Sequence, residues 1–283
     1  MLHRPRTLSQ AIGLLADGEG LALAGGTDIF PALVDRPSPT RMIDLTGIAG
    51  MKDIVAGPDG TRFGAGCTWT DILKADLPRG FGGLMAAARE LGSVQIPNRA
   101  TIGGNLCNAS PAADGVPALL ALDAEVELFG SAGRRHMRLA DFVLGNRKTA
   151  RRPDEIMVAV LVPASWNEAG SAFSKLGARR YLVISIVMVA ANIVVAADGR
   201  VDRASIAVGA ASAVAHRLTA LERRIVGQPC ASLGYILLSA EELAALSPID
   251  DGRGTAAYRL QAARVLVGRA IAAAAASATR HAG

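Results

Sequence analysis

Short apolar runs alternate with turn-forming residues along the chain, and their spacing predicts an α+β fold. Thr7-Leu8-Ser9-Gln10 has the form of a capping box and starts a helix, which Gly18 is expected to end. The apolar run Leu21 to Leu23 reads as a strand that enters the small-residue turn Ala24-Gly25-Gly26-Thr27-Asp28 and opens a helix from Asp28 to Val34. Arg41 to Leu45, Asp53 to Val55 and Arg62 to Ala65 read as short strands, with Pro58-Asp59-Gly60 as a turn. Helices are expected from Thr70 or Asp71, from Gly83 to Leu91 and from Val116 to Leu122. Val126 to Phe129 and His136 to Leu139 form a hairpin pattern around Gly130-Ser131-Ala132-Gly133, and Ile156 to Val162 is a strand that stops at Pro163. Beyond Trp166-Asn167-Glu168-Ala169-Gly170, three apolar runs predict an antiparallel meander: Ala172 to Leu176, Ile184 to Ala197 and Ala204 to Ala210. Asp198-Gly199 serves as its hairpin turn. Helices are then expected from Ala215, from Ala240 and from Thr255 to Ala276.

A length of 283 residues exceeds one ordinary domain. The expected division is residues 1–168 and 169–283, the first part splitting again near residues 57 and 58. Hydrophobic residues make up 51 % of the chain against 19 % charged, enough for sizeable cores. The net charge of +5 permits nucleic-acid binding, but with only 4 % aromatic residues no basic patch is interleaved with stacking groups. A mildly basic surface suited to an acidic partner subunit is the reading that remains. Cys67, Cys107 and Cys230 are too scattered for a zinc site or a four-cysteine iron–sulfur cluster, and His3, His136, His216 and His281 show no ligand spacing. Any iron–sulfur centre is expected on another chain. Met1 to Arg6 shows no apolar signal region and runs into the first predicted helix, so the cytoplasm is the expected location. The longest apolar run, Leu182 to Ala197, is interrupted by Ser185 and Asn192 and is short for a membrane span.

Two stretches carry candidate chemistry. In Thr101-Ile102-Gly103-Gly104-Asn105 the paired glycines read as a turn whose bare backbone can approach a phosphate, followed by Asn108, Ser110, Pro111 and Asp114 in an ordered polar loop. The turn at Gly25 and Gly26 precedes a predicted helix start, where unpaired N–H groups favour a pyrophosphate. Either glycine pair alone fits an ordinary tight turn; two together can grip a dinucleotide from both sides. Gly64-Ala65-Gly66-Cys67-Thr68-Trp69 begins like a nicotinamide-dinucleotide fingerprint and lacks its third glycine, and no P-loop or Gly-x-Ser-x-Gly elbow is present. The basic run Arg147-Lys148-Thr149-Ala150-Arg151-Arg152 reads first as a solvated face, with a partner- or ligand-approach loop as the alternative.

These motifs, in this order, resemble the FAD-binding (medium) subunit of the molybdenum hydroxylases, the xanthine dehydrogenase and carbon monoxide dehydrogenase group. The resemblance continues through Phe142 to Thr149, Glu155 to Pro163, Lys175-Leu176-Gly177-Ala178-Arg179-Arg180 and Tyr258-Arg259-Leu260. It implies an FAD-binding domain of the PCMH or vanillyl-alcohol-oxidase type, made of two α/β subdomains, and a C-terminal domain of antiparallel sheet plus helices of the CO-dehydrogenase-flavoprotein type. FAD is the implied cofactor, held by Ala24, Gly25, Gly26, Thr27, Asp28 and Ile29 together with Thr101, Gly103, Gly104 and Asn105. Ala109 is also implied to bind it, and Asp114 would meet its ribose or nearby polar edge. Leu91 would cover one flavin face, the main chain of Met157 would meet the ring, and the Lys175 ammonium would lie near the flavin C2 carbonyl. Molybdopterin and 2Fe-2S clusters are implied on partner large and small subunits, and an external acceptor takes the electrons. A free-standing FAD-dependent oxidoreductase and a flavin-free structural subunit are the alternatives.

Overall fold

The computed structural model describes every residue except 17, 18, 35, 36, 38, 94, 180–182 and 280–283. Gly18, Arg180, Leu182 and His281, named above, lie outside the described residues. The chain opens with a two-residue strand, β1 (Leu2–His3), where the sequence suggested direct entry into a helix. The Thr7 hydroxyl accepts from the Gln10 N–H at 3.2 Å and the Gln10 side chain accepts in return from Thr7, which starts α1 (Leu8–Leu15) as the capping box predicts. β2 (Gly20–Leu23), the four-residue α2 (Ile29–Ala32) and β3 (Arg41–Asp44) follow, and the three strands form a parallel sheet in the order β1-β3-β2. The predicted helix from Asp28 to Val34 is therefore little more than one turn.

A second sheet has five antiparallel strands. β4 (Ile54–Gly57) and β5 (Gly60–Gly64) form one hairpin, then come α3 (Trp69–Lys74), α4 (Gly82–Arg89), α5 (Ile102–Asn108) and α6 (Gly115–Leu120). β6 (Glu125–Gly130) and β7 (Gly133–Arg138) form the next hairpin. After α7 (Leu139–Phe142) and the small ribbon of β8 (Val143–Gly145) and β9 (Lys148–Thr149), β10 (Ile156–Pro163) enters the middle of the sheet, whose order is β4-β5-β10-β6-β7. β10 is buried along nearly its whole length, which explains an almost continuous apolar run in place of an alternation.

The third sheet is the predicted meander, β11 (Gly170–Leu176), β12 (Val187–Val195) and β13 (Val201–Gly209), extended by β14 (His216–Arg217). Gly199, with φ +80°, supplies the left-handed residue of its β12–β13 turn. The helix expected from Ala215 begins only at Thr219, as α8 (Thr219–Ile225), because His216 and Arg217 pair with Val208 and Ala207 at the sheet edge. From Ala240 the chain makes a single 3-10 turn, Glu241–Leu243, and no longer helix.

The last helix, α9 (Ala256–Thr279), lies on β11 and β12. Its alanines allow close approach: a side chain at Gly170 would strike the backbone of Ala274 and Ala278. By length and hydropathy α9 could cross a membrane, yet half of its most apolar stretch is already buried in the protein. Arg259 in α9 is 3 % exposed and donates to the carbonyls of Ile186 at 2.7 Å and Ala210 at 2.9 Å, with Asp251 as counter-ion at 2.6 Å. It ties the helix to the ends of the sheet, so the Tyr258-Arg259-Leu260 signature is structural here. Two apolar cores result, one around Phe63, Trp69, Leu119 and Leu128, the other between the meander and α9.

Candidate functional site

The two glycine stretches come together. A cleft of about 360 Å³ is lined by Ala24, Gly25, Gly26, Thr27, Asp28 and Ile29 from the β2–α2 turn and by Thr101, Gly103, Gly104 and Asn105 from the start of α5. Met157, Arg147, Thr149, Arg151 and Glu155 complete its walls. The β2–α2 turn is also tied to the far end of α5, where the Asn108 amide donates to the Asp28 carboxylate at 3.1 Å. Gly25 packs so closely that a Cβ would collide with the Arg99 carbonyl, and Gly26 has φ +76°. The fit of these turns depends on the missing side chains.

Gly103 and Gly104 differ from expectation, because they lie inside the first turn of α5 and not in a turn with bare N–H groups. Their backbone donors are already used. Ile102 N–H bonds to the Cys67 carbonyl and Gly103 N–H to the Ala65 carbonyl, both at 2.9 Å, while Gly104 N–H bonds to the Thr101 hydroxyl at 3.0 Å and Asn105 N–H to the Thr101 carbonyl at 2.9 Å. What the glycine at 103 provides is close contact with the residue that follows β5: a Cβ there would lie 2.7 Å from both Cβ and O of Ala65. Open donors come from the other turn, where the N–H groups of Thr27, Asp28 and Ile29 have no protein acceptor among the described residues. The Asn105 Oδ1, buried without a partner, lies toward Gly115 and Trp69 and not in the cleft. Unspent N–H groups beside Cβ-free backbone are complementary to a diphosphate.

Lys175, Asp114 and Leu91 do not line this cleft. Lys175 Nζ sits 2.7 Å from the Asp114 carboxylate, and the Ser185 hydroxyl donates to the other Asp114 oxygen at 2.6 Å. Both side chains of the ion pair are at most 7 % exposed. Burial pushes the Asp114 carboxyl above its ordinary range, and the Lys175 charge and the Lys175 and Ser185 hydrogen bonds pull it back down. Lys175 also donates to the Glu90 carbonyl at 3.3 Å and lines a second cavity of about 340 Å³ with Glu90, Phe173, Arg179 and Val183. Leu91 packs half-buried on the first core next to Glu90. Ala109 is buried and left-handed, φ 48°, where it ends α5.

The cleft also holds residues that sequence reasoning did not place there. Glu155 is 4 % exposed and receives a two-pronged ion pair from Arg135 at 2.6 and 2.8 Å, which holds its carboxyl below the usual range. Arg151 donates to the carbonyls of Arg152, Pro153 and Glu155. Cys107, also in the wall, has its thiol pushed up to about 11 by burial and is inert as a nucleophile at neutral pH. The resemblance through Phe142 to Thr149 was the available signal for Arg147, but charge spacing alone read that run as surface.

The family described as "FAD binding domain in molybdopterin dehydrogenase" matches residues 1–165, and the "CO dehydrogenase flavoprotein C-terminal domain" family matches residues 172–274. The chain belongs to this family. It is an FAD-binding oxidoreductase subunit of the molybdenum hydroxylase and xanthine dehydrogenase group, with the α+β architecture that the motifs implied. It is 31 % identical over 281 residues to a putative xanthine dehydrogenase FAD-binding subunit of Escherichia coli, covering 98 % of this chain and 96 % of the relative. To the nicotinate dehydrogenase FAD-subunit of Eubacterium barkeri it is 38 % identical over 191 residues, 65 % of this chain and 64 % of that one. Among solved structures, a chain of the carbon monoxide dehydrogenase from Hydrogenophaga pseudoflava superposes with a TM-score of 0.88 at 27 % identity, covering 98 % and 97 % of the two chains.

Proposed function

We propose that this family member is the electron-relay subunit of a molybdenum-dependent dehydrogenase, taking electrons from iron–sulfur clusters on one partner and delivering them to an external acceptor. The observation that carries the reading is the cleft at the Gly25–Gly26 turn, whose open N–H groups suit the FAD diphosphate. Relatives described as a carbon monoxide dehydrogenase medium chain and a nicotine 6-hydroxylase medium subunit support a multi-subunit setting. The expected partners are a molybdopterin-binding large subunit and a small subunit with 2Fe-2S clusters, assembled in the cytoplasm.

When bound, FAD supplies the redox chemistry. The residues of this chain hold and tune it. Ala24 to Ile29 offer backbone donors, Thr101, Gly103, Gly104 and Asn105 form the facing wall, and Met157 lines the floor. In our reading Lys175 and Leu91 would meet the flavin ring, and the domain boundary lies near residue 168. The Lys175 ammonium would stabilise the electron density that reduction adds, and Asp114, 2.7 Å away, would offset part of its charge. Substrate oxidation takes place on the large subunit.

Purification of the chain with its neighbours from the source cell tests this. The expected product is a yellow complex with two further subunits and an interface of about 1,000 Å² or more. Recovery of the free chain alone would remove the relay role while leaving flavin binding intact, and a colourless protein would favour a structural subunit. Reduction of the isolated flavoprotein by a small organic substrate would favour a free-standing oxidoreductase.

A further inference from the structure

The charged side chains lining the cleft at the two glycine turns are not equivalent. Asp28 is bound by Asn108, Glu155 is paired with Arg135, and Arg151 is occupied by three backbone carbonyls. Arg147 remains: it is exposed, it lines the cleft, and its guanidinium has no protein partner among the described residues. Its backbone is left-handed, with φ 56°, at the tip of the β8–β9 ribbon. The Arg147 N–H bonds to the carbonyl of Ala109 at 3.3 Å, and Ala109 is itself left-handed at the end of α5. Asn108, the preceding residue, bonds to Asp28. A continuous path of contacts therefore fixes the ribbon tip against the turn that offers its open N–H groups.

A left-handed ribbon-tip position favours glycine or asparagine, and the long Arg147 side chain sits there against that backbone preference. A bound diphosphate brings about two negative charges, which the partial charges of backbone N–H groups answer only in part. We propose that Arg147 is a diphosphate-clamping residue, its guanidinium closing over the FAD phosphates from the ribbon while the Thr27–Ile29 backbone holds them from the other side. This rests on FAD occupying the cleft. Arginine suits the task because its planar fork bonds two phosphate oxygens at once.

The test separates binding from folding. In Arg147→Gly the backbone strain is relieved while the charge is lost, so the apo chain should melt no lower than wild type. The deflavinated full chain is titrated with FAD at low and high salt, following flavin fluorescence. Expected is a loss of affinity of about ten- to a hundredfold, as for a lost charge-assisted contact, with a weaker salt dependence than wild type and partial recovery in Arg147→Lys. An affinity within twofold of wild type in Arg147→Gly, with an unchanged salt dependence, overturns the clamp. Gly26→Val, titrated in parallel, distinguishes the two levels. If it too leaves FAD binding unchanged, the cleft assignment itself falls; if it abolishes binding while Arg147→Gly does not, only the clamp falls.

Discussion

The glycine-lined cleft and the Asp114–Lys175 pair solve the placement of a charged group in opposite ways. In the cleft, recognition is written in backbone: Gly25 and Gly26 bring the chain where a Cβ cannot follow, and open N–H groups present fixed partial charges that no pH change removes. At the pair, recognition is written in two full charges, buried together and stabilised only while both are present. The first region should fail through ligand affinity. The second should fail through stability and potential, with a pH dependence that the cleft lacks.

Breaking the pair is the largest test. Lys175→Met leaves the Asp114 carboxylate buried with Ser185 as its remaining side-chain partner, and the loss of a buried partner costs about 3–5 kcal/mol. Urea denaturation should show that loss, and a double variant with Asp114→Leu should recover most of it. The cleft answers next. Gly25→Val drives a branched side chain into the Arg99 carbonyl, and overpacking of this kind costs about 1–3 kcal/mol. FAD occupancy should fall well below that of wild type; Gly104→Val, whose Cβ meets only the Thr101 hydroxyl at 2.9 Å, should lose less. Full occupancy in both variants would mean that the backbone approach is not what holds the cofactor.

Redox titration sharpens the comparison further. A charge-assisted hydrogen bond is worth about 1.5–3 kcal/mol, or about 30–60 mV for a two-electron couple. Considered alone, loss of the Lys175 cation should lower the midpoint by that amount. With Asp114 in contact the shift is smaller: once Lys175 is gone, burial favours protonation of Asp114 and the net charge change shrinks. Asp114→Asn instead unmasks the cation and should raise the midpoint by up to about 60 mV. Equal and opposite shifts would show that Asp114 stays ionised without its partner, and no shift in either variant would move the flavin ring away from Lys175.

The smallest effect is a difference of sign with pH. Arg135 holds the folded-state Glu155 carboxyl below its ordinary 4.5, so this pair stabilises fully above that value and loses its contribution as pH falls through the folded pKa. Asp114 is raised above its ordinary 3.8, so its burial opposes folding at higher pH and is relieved as pH falls through its folded value. Glu155→Gln should therefore lower stability by about 1 kcal/mol near neutral pH and flatten the acid side of the stability curve. Asp114→Asn should remove the opposing trend. Urea midpoints across the acid range measure both.

What the sequence determined by itself was local or carried by short signatures. The Thr7–Gln10 capping box, the Asp198-Gly199 turn and the alternating runs of the meander were legible because each is decided by residues a few positions apart. The order of the glycine motifs was enough to point to the family. Tertiary structure decided what depends on distant partners. Gly103 and Gly104 became helical because Cys67 and Ala65, more than 30 positions earlier, accept the first N–H groups of α5. His216 and Arg217 became a strand because β13 offered an open edge, and Arg217 found Glu222 and Asp123 there. Lys175 met Asp114 across 61 positions, which turned an expected lone cation into half of a neutral pair. Arg147 is solvent-exposed as the charge run suggested, but the bond from its N–H to Ala109 sets that exposed side chain at the rim of the cleft. A charge seen in sequence carries its sign but not its surroundings, and those surroundings, which the packed fold alone supplies, set what the charge can do.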